Sequence, residues 1–240
     1  QRRLDRADRR TVARLRDEAG LAGRRDGRVI GDSVRARGLS RFLRRVVRLK
    51  STPRTGWLDR GVPPEATESV ADHSFQTALL AWLAAASDPT LDRDRILKLA
   101  LIHDLPEAII GDITPYDPVD VPDSGADRAA WRAFLDRKHV RSAERRTAKR
   151  SAEASAMQQL LSELDGNARV ELAALWHELA EGLTAEARFV KQSDRLETFL
   201  QSRVYLDEDP ERPMSAFSEE VDDGLFHPAL IAVRDAARAE

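Results

Sequence analysis

DRDRILKLALIHDLPEAII, residues 92–110, is the stretch whose reading decides the fold. It opens on an acidic first turn, the charge that favours a helix N-terminus. It then becomes apolar on nearly all sides, as a helix at the centre of a protein does. Pro106 lacks the amide hydrogen that a helix interior needs, so a kink or break is predicted there. Gly111 can close the helix beyond it. Upstream, ESVADHSFQTALLAWLAAA (68–86) carries Val70, His73, Phe75, Ala78, Leu79, Trp82 and Leu83 at three- and four-residue steps. That spacing predicts a buried helix, ended by Asp88-Pro89. LSRFLRRVVRLK (39–50) has similar spacing, with Arg on the opposite face and Ser40 as its N-cap. Loops follow at 51–57 and around Pro63 and Pro64.

Downstream of Gly111 a proline-rich loop leads to one long charged helix over 127–164, with Trp131, Phe134 and Leu135 as its apolar cluster. A helix over 167–182 is built around Leu172, Leu175, Trp176 and Leu179. Another begins at the cap Thr184 and runs through Phe189, Val190, Leu196, Phe199 and Leu200 to about Tyr205. A short helix over 228–238 ends the chain. There is no alternating strand pattern, internal repeat or glycine-rich phosphate loop. The fold class expected is all-α.

The chain has 240 residues, 42% hydrophobic and 33% charged, which suits a globular protein and excludes wholesale disorder. No apolar run reaches the ~18 residues of a membrane-spanning helix. Cysteine is absent, which excludes disulfides, thiolate catalysis and cysteine zinc sites and fits a cytoplasmic protein. The first residue is Gln, so the initiator Met is expected upstream, and no signal-peptide pattern stands at this end. The formal net charge of −2 conceals a basic segment 1–50 at +11 and a remainder at −13. Residues 1–40 are therefore expected as a basic extension, in which Gly20, Gly23, Gly27 and Gly31 form a linker after a solvated helix at 1–20. Its interleaved Asp and scarce aromatics argue against nucleic-acid binding.

Of five histidines, His73 and His103 lie on the apolar faces of the two most hydrophobic helices. A lone histidine there is ordinarily a packed core residue. The neighbours of His103 change that. Asp104 follows it directly, Glu107 comes one helical turn later and would share its face, and Asp112 lies just past Gly111. A buried carboxylate is costly unless it is paired or holds a metal. Imidazole with carboxylate suits Mn, Fe, Co, Ni or Zn, while carboxylates with carbonyls and water suit Mg. Asp194, in FVKQSDRLETFL, faces the side of Phe189, Val190 and Leu200. His139, His177 and His227 read as surface or packing residues.

An isolated His, a His-Asp pair and a later Asp resemble the signature of the HD-domain metal-dependent phosphohydrolases. The blocks LKSTPRTGW (49–57), ESVADHSF (68–75), KLALIHDLPEAIIGDITP (98–115) and TAEARFVKQSDRLE (184–197) resemble, in order, the YfbR-like 5′-deoxynucleotidases and the HD domain-containing protein 2 family. The likeness covers about 42–206. It implies a helical bundle over 41–206, with a C-terminal tail from 207 to 240. It implies a first divalent cation on His73, His103, Asp104 and Asp194, and a second, Mg-like ion on Glu107, Asp112 and the Ile113 carbonyl. Glu107 and Asp112 would be catalytic. Arg54 would clamp the phosphate, and Trp57 would contact the sugar. The implied reaction removes the 5′-phosphate of a nucleoside monophosphate by attack of a metal-bound water, in a protein that forms homodimers.

Two features depart from the family pattern. The connection at about 116–148 is longer by roughly twenty residues, and the segment 1–40 has no counterpart in compact members. Both border the expected substrate mouth. They motivate an alternative substrate: a modified nucleotide, a cyclic nucleotide or a triphosphate.

Overall fold

The computed structural model describes residues 33–239, so the expected helix at 1–20 and the glycine linker lie outside the described residues. Helix α1 covers 33–46 and ends in a 3-10 turn at Val47–Ser51. Then come α2 (Thr55–Asp59), α3 (Val70–Ala84), α4 (Arg93–Ile102), α5 (Glu107–Ile110) and α6 (Arg128–Leu135). They are followed by α7 (Ala143–Leu161), α8 (Gly166–Glu181), α9 (Ala185–Glu208), α10 (Ser215–Gly224) and α11 (Pro228–Ala239). Among the described residues the extended pairing is limited to one antiparallel bridge, Pro53 with Ser69, so the all-α expectation holds.

The helix starts follow local chemistry. Ser69 accepts from the Asp72 amide, and Asp72 accepts in return from the Ser69 amide, a reciprocal cap that starts α3. Asp92 caps α4 and Thr184 caps α9 through their side-chain oxygens. Gly111 ends α5 at φ +76°, a conformation that favours glycine.

Helices α3, α4 and α9 pack on one another around Ala78, Ala81, Ile96, Leu99, Leu196 and Phe199. Fully burying a side chain of the size of Leu99 stabilises the fold by about 1.5–3 kcal/mol. The face of α3 turned inward is made mostly of small residues: Ser74, Thr77, Ala78 and Ala81. They let the neighbouring helices approach closely and leave the larger Phe75, Leu79 and Leu83 exposed at 64, 40 and 53%. The expected buried face of α3 was therefore only partly right. Met157 and Leu160 of α7 close a second cluster with Leu49, Val70, Leu105 and Ala108.

Four further expectations change. Ser40 lies inside α1 instead of capping it, because the helix is already formed upstream. The helix foreseen over 127–164 is two: Asp127 caps α6, and Ser142 caps a new start at α7 after a loop at 136–142. A cap satisfies free amide hydrogens and so begins a helix wherever it falls, which apolar spacing does not reveal. The segment 207–240 is not an appended tail, since α10 and α11 pack on α9 and place Val221, Leu225 and Leu230 in the main core. Finally, α4 breaks at His103, ahead of Pro106. Glu107 therefore stands on a separate helix and does not share a helical face with His103.

Some of the N-terminal basic residues within the described range are engaged by the fold. Arg41 and Arg45 pair with Glu163 at 2.6 and 2.9 Å. A side chain on Gly38 would meet the Glu163 carbonyl at 2.4 Å, so glycine is what lets α1 lie against the end of α7.

Candidate metal centre

Three helices bring four ligand-type side chains together. His73 comes from the second turn of α3, His103 from the end of α4, Asp104 from the break after it, and Asp194 from the middle of α9. His73 Nε2 lies 3.1 Å from His103 Nε2, 3.1 Å from Asp194 Oδ1 and 3.7 Å from Asp104 Oδ2. His103 Nε2 lies 3.3 Å from Asp104 Oδ2 and 4.0 Å from Asp194 Oδ1. The break before Pro106 makes this possible: consecutive residues His103 and Asp104 leave the helix and turn to one point.

The outward ring atoms are already committed. His103 Nδ1–H donates to the Ala100 carbonyl at 2.7 Å, which directs the Nε2 lone pair into the cluster. His73 Nδ1 pairs with Glu197, a buried carboxylate on the same helix as Asp194. A carboxylate or carbonyl behind a ligating imidazole fixes its tautomer and raises its basicity. Glu197 was not foreseen, although its position three residues after Asp194 places both on one face of α9.

The electrostatics demand positive charge at this point. Burial opposes protonation of His73, but its hydrogen bonds to Asp194 and Glu197 prevail and raise it to about 10. Burial alone would raise Asp194, yet the hydrogen bond from His73 and the charge of His103 bring it down to about 2. Asp104 is likewise held low, against its burial, by His103, His73 and Arg54. A proton between two imidazoles meets this demand in part. A divalent cation meets it with two nitrogen and two oxygen donors, so the residues fit a borderline transition ion.

Arg54 projects over the cluster from the loop before α2. Its guanidinium lies 3.4 Å from Asp104 Oδ2, 3.7 Å from Asp112 Oδ1 and 3.4 Å from the Thr198 hydroxyl. The loop is pinned by three hydrogen bonds to two residues. The Arg54 amide donates to the Glu68 carbonyl, the Thr55 amide donates to Asp112 Oδ2 at 2.6 Å, and the Thr55 hydroxyl donates to the Asp112 carbonyl. Glu107 is 4% exposed, and its Oε2 has no hydrogen-bond partner. Burial, followed by the charges of Asp104 and Asp112, raises its pKa well above the usual carboxylate range. Arg54, Glu107, Asp112, Asp104 and Asp194 border a cavity of about 440 Å³.

Two expected roles sit differently. Trp57 is 1% exposed, packs against Tyr205 and Phe217, and donates its indole N–H to Glu68. It belongs to the core beneath the cavity, and only its edge lines that space. The Ile113 carbonyl, expected on a second ion, accepts from Arg141 Nη2 at 2.5 Å. Arg141 comes from the loop between α6 and α7. Histidines 139 and 227 pack as expected, on Tyr116 and Phe134 and on Asp88 and Phe189 respectively. No helix of the described residues is long and apolar enough to cross a membrane.

Known proteins carry the same organisation. The family model described as HD domain matches residues 46–224. The chain is 36% identical over 207 residues to 5′-deoxynucleotidase HDDC2 of Homo sapiens, covering 85% of this chain and 87% of the relative. It is 35% identical over 164 residues to 5′-deoxynucleotidase hdd1 of Schizosaccharomyces pombe, covering 68% and 70%. A solved protein from Pyrococcus furiosus superposes with a TM-score of 0.58 at 28% identity, covering 83% of this chain and 98% of that one. A match across most of the length, with His73, the His103-Asp104 pair and Asp194 meeting at one point, leads to one conclusion: the chain belongs to the HD-domain family.

Proposed function

We propose that this protein is a metal-dependent phosphohydrolase that removes the 5′-phosphate from nucleoside monophosphates, deoxyribonucleotides included. The observation that carries the reading is Arg54, held beside Asp104 and Asp112 in the cavity that Asp104 and Asp194 also border. A planar guanidinium matches two phosphate oxygens, and a cation held by the neighbouring carboxylates and imidazoles would add neutralising charge.

His73, His103, Asp104 and Asp194 would hold the ion, with Mn, Co, Fe, Ni or Zn as the ligand set's natural occupants. The bound cation supplies neutralisation of phosphoryl charge and a more acidic water. Arg54 binds and orients the phosphate. Glu107, whose pKa is raised by burial and by Asp104 and Asp112, has an unpartnered oxygen with which to move a proton at the reacting centre. Asp112 braces the Arg54 loop through Thr55. A second, Mg-like ion on Glu107 and Asp112 would have to compete with Arg141 for the Ile113 carbonyl. Trp57 acts from below, by holding Glu68 and the loop that carries Arg54.

The exposed Phe75, Leu79 and Leu83 form a stripe on α3, which supports a homodimer through this face. Phe75→Glu should then shift the sedimentation coefficient to that of the monomer. Phosphate release from dAMP, dCMP, dGMP and AMP, after chelation and add-back of Mn, Co or Mg, tests the reaction. Metal-restored release of inorganic phosphate is expected; release of triphosphate from nucleoside triphosphates, with no monophosphate hydrolysed, would overturn it.

A further inference from the structure

A second cavity, of about 590 Å³, borders His103, Asp104 and Asp194. Its volume alone is that of a complete ligand pocket. Apart from the metal-ligand residues, five cations line it against two carboxylates: Arg141, Arg146, Lys149, Arg150 and Lys191 against Glu153 and Glu181. Arg146, Lys149 and Arg150 share one face of α7, at steps of three and four residues. One carboxylate is already used, since Glu153 pairs with Lys149 at 3.4 Å. The cations are under-neutralised. Arg141 Nε is buried without a partner, and burial followed by the charge of Arg150 lowers Lys191. The back wall is apolar and aromatic, with Trp176, Leu179 and Met157. Arg141, Arg146 and Lys149 also border the smaller cavity, so the two spaces meet across this basic ridge.

A nucleoside monophosphate has one phosphate, and Arg54 with the ligand cluster accounts for it. We infer that the basic wall of α7 is a second phosphate subsite, and that the substrate carries a further phosphoryl group on its 3′-oxygen. The larger cavity can take that group as a terminal phosphate, as in a nucleoside 3′,5′-bisphosphate. It can equally take the start of a second nucleotide unit, as in a 5′-phosphorylated dinucleotide, with a base against Trp176. This inference rests on the hydrolytic reading above and deepens it. The chemistry is unchanged: a water oxygen bonds to the 5′-phosphorus, the P–O5′ bond breaks, and the departing 5′-oxygen takes a proton. The products are inorganic phosphate and a nucleoside that keeps its 3′-phosphoryl group.

The test compares kcat/KM of the metal-loaded enzyme for a deoxynucleoside 5′-monophosphate, the matching 3′,5′-bisphosphate and a 5′-phosphorylated dinucleotide. Either 3′-phosphorylated substrate should exceed the monophosphate by roughly tenfold or more, the worth of a charge-assisted hydrogen bond or two. The arm that exceeds it identifies the terminal phosphate or the second nucleotide. The double variant Arg146→Ala/Arg150→Ala, both on the exposed surface of α7, should collapse that ratio toward one, chiefly through KM. Monophosphate hydrolysis without preference, or an equal loss on all substrates as general electrostatic steering would give, overturns the subsite and leaves the reaction standing. If no nucleotide is hydrolysed, the reaction fails, and calorimetry with a nucleoside 3′-monophosphate still decides the subsite. Binding that the double variant weakens supports it; absence of binding overturns it.

Discussion

Two buried polar regions lie a few residues apart in this protein and are built on opposite terms. Arg60 is 4% exposed, and its guanidinium donates to the carbonyls of Gly56, Leu135 and Pro213 and to the Tyr116 hydroxyl, with Phe217 stacked beneath. Tyr116 in turn donates to Asp59. Every group around Arg60 gains a partner within the chain. At the metal centre, Glu107, Glu197 and Glu68 each keep a buried oxygen without a partner, and two imidazole nitrogens face each other at 3.1 Å. A completed network ties α2, α6 and the α9–α10 loop together. An incomplete one is what a cation and a phosphate are needed to complete.

The comparison breaks most sharply at Asp194. Asp194→Ala should reduce phosphate release to the background rate and abolish bound metal, while the circular dichroism of the helices persists. Manganese should raise the melting temperature of the parent protein and leave that of the variant unmoved, because a ligand stabilises only a fold that binds it. Equal metal-induced shifts in both would remove Asp194 from the site. Arg60→Ala should do the reverse. Each buried acceptor left without a donor costs about 1–3 kcal/mol, so a loss of roughly 3 kcal/mol or more in urea unfolding is expected. The folded fraction should keep its metal stoichiometry.

Glu107→Gln should retain the metal and lower kcat by roughly 10²–10⁴, the range of a positioned proton-transfer group. Unchanged turnover would make Glu107 structural. Arg54→Lys should fall nearly as far in kcat/KM as Arg54→Ala, by roughly ten- to a hundredfold, since a point charge cannot replace two parallel contacts to a phosphate. The smallest effect belongs to an exposed contact. Asp88 is held below the usual carboxylate range by the hydroxyl and amide of Thr90 and by His227. The stability it contributes is present above the ordinary Asp value and is lost as pH falls through its lowered one. Asp88→Asn should therefore lower the melting temperature slightly at neutral pH and flatten its fall below about pH 4, where the parent loses the same contribution.

Much of this protein was legible in order along the chain. Apolar spacing located the central helices, the cap Thr184 began α9, and Pro106 and Gly111 announced the break that frees the His103-Asp104 pair. His103 and Asp104 stood out because ionisable groups in an apolar run need a reason to be there, and the family resemblance added His73 and Asp194 as candidate ligands. Spacing counts apolar positions but does not say which of them face a neighbour, so the small inward face of α3 and its exposed Phe75, Leu79 and Leu83 were not foreseen. Nor does it register a new cap within a charged run, which is why α6 and α7 read as one helix. Only the packing of α3, α4 and α9 brought His73, His103 and Asp194 to within 4.0 Å, put Glu197 behind His73 and buried Trp57 beneath the loop. Local free energies choose where helices begin and end. Distances between residues far apart in the chain are set by how side chains of particular sizes fill a shared core.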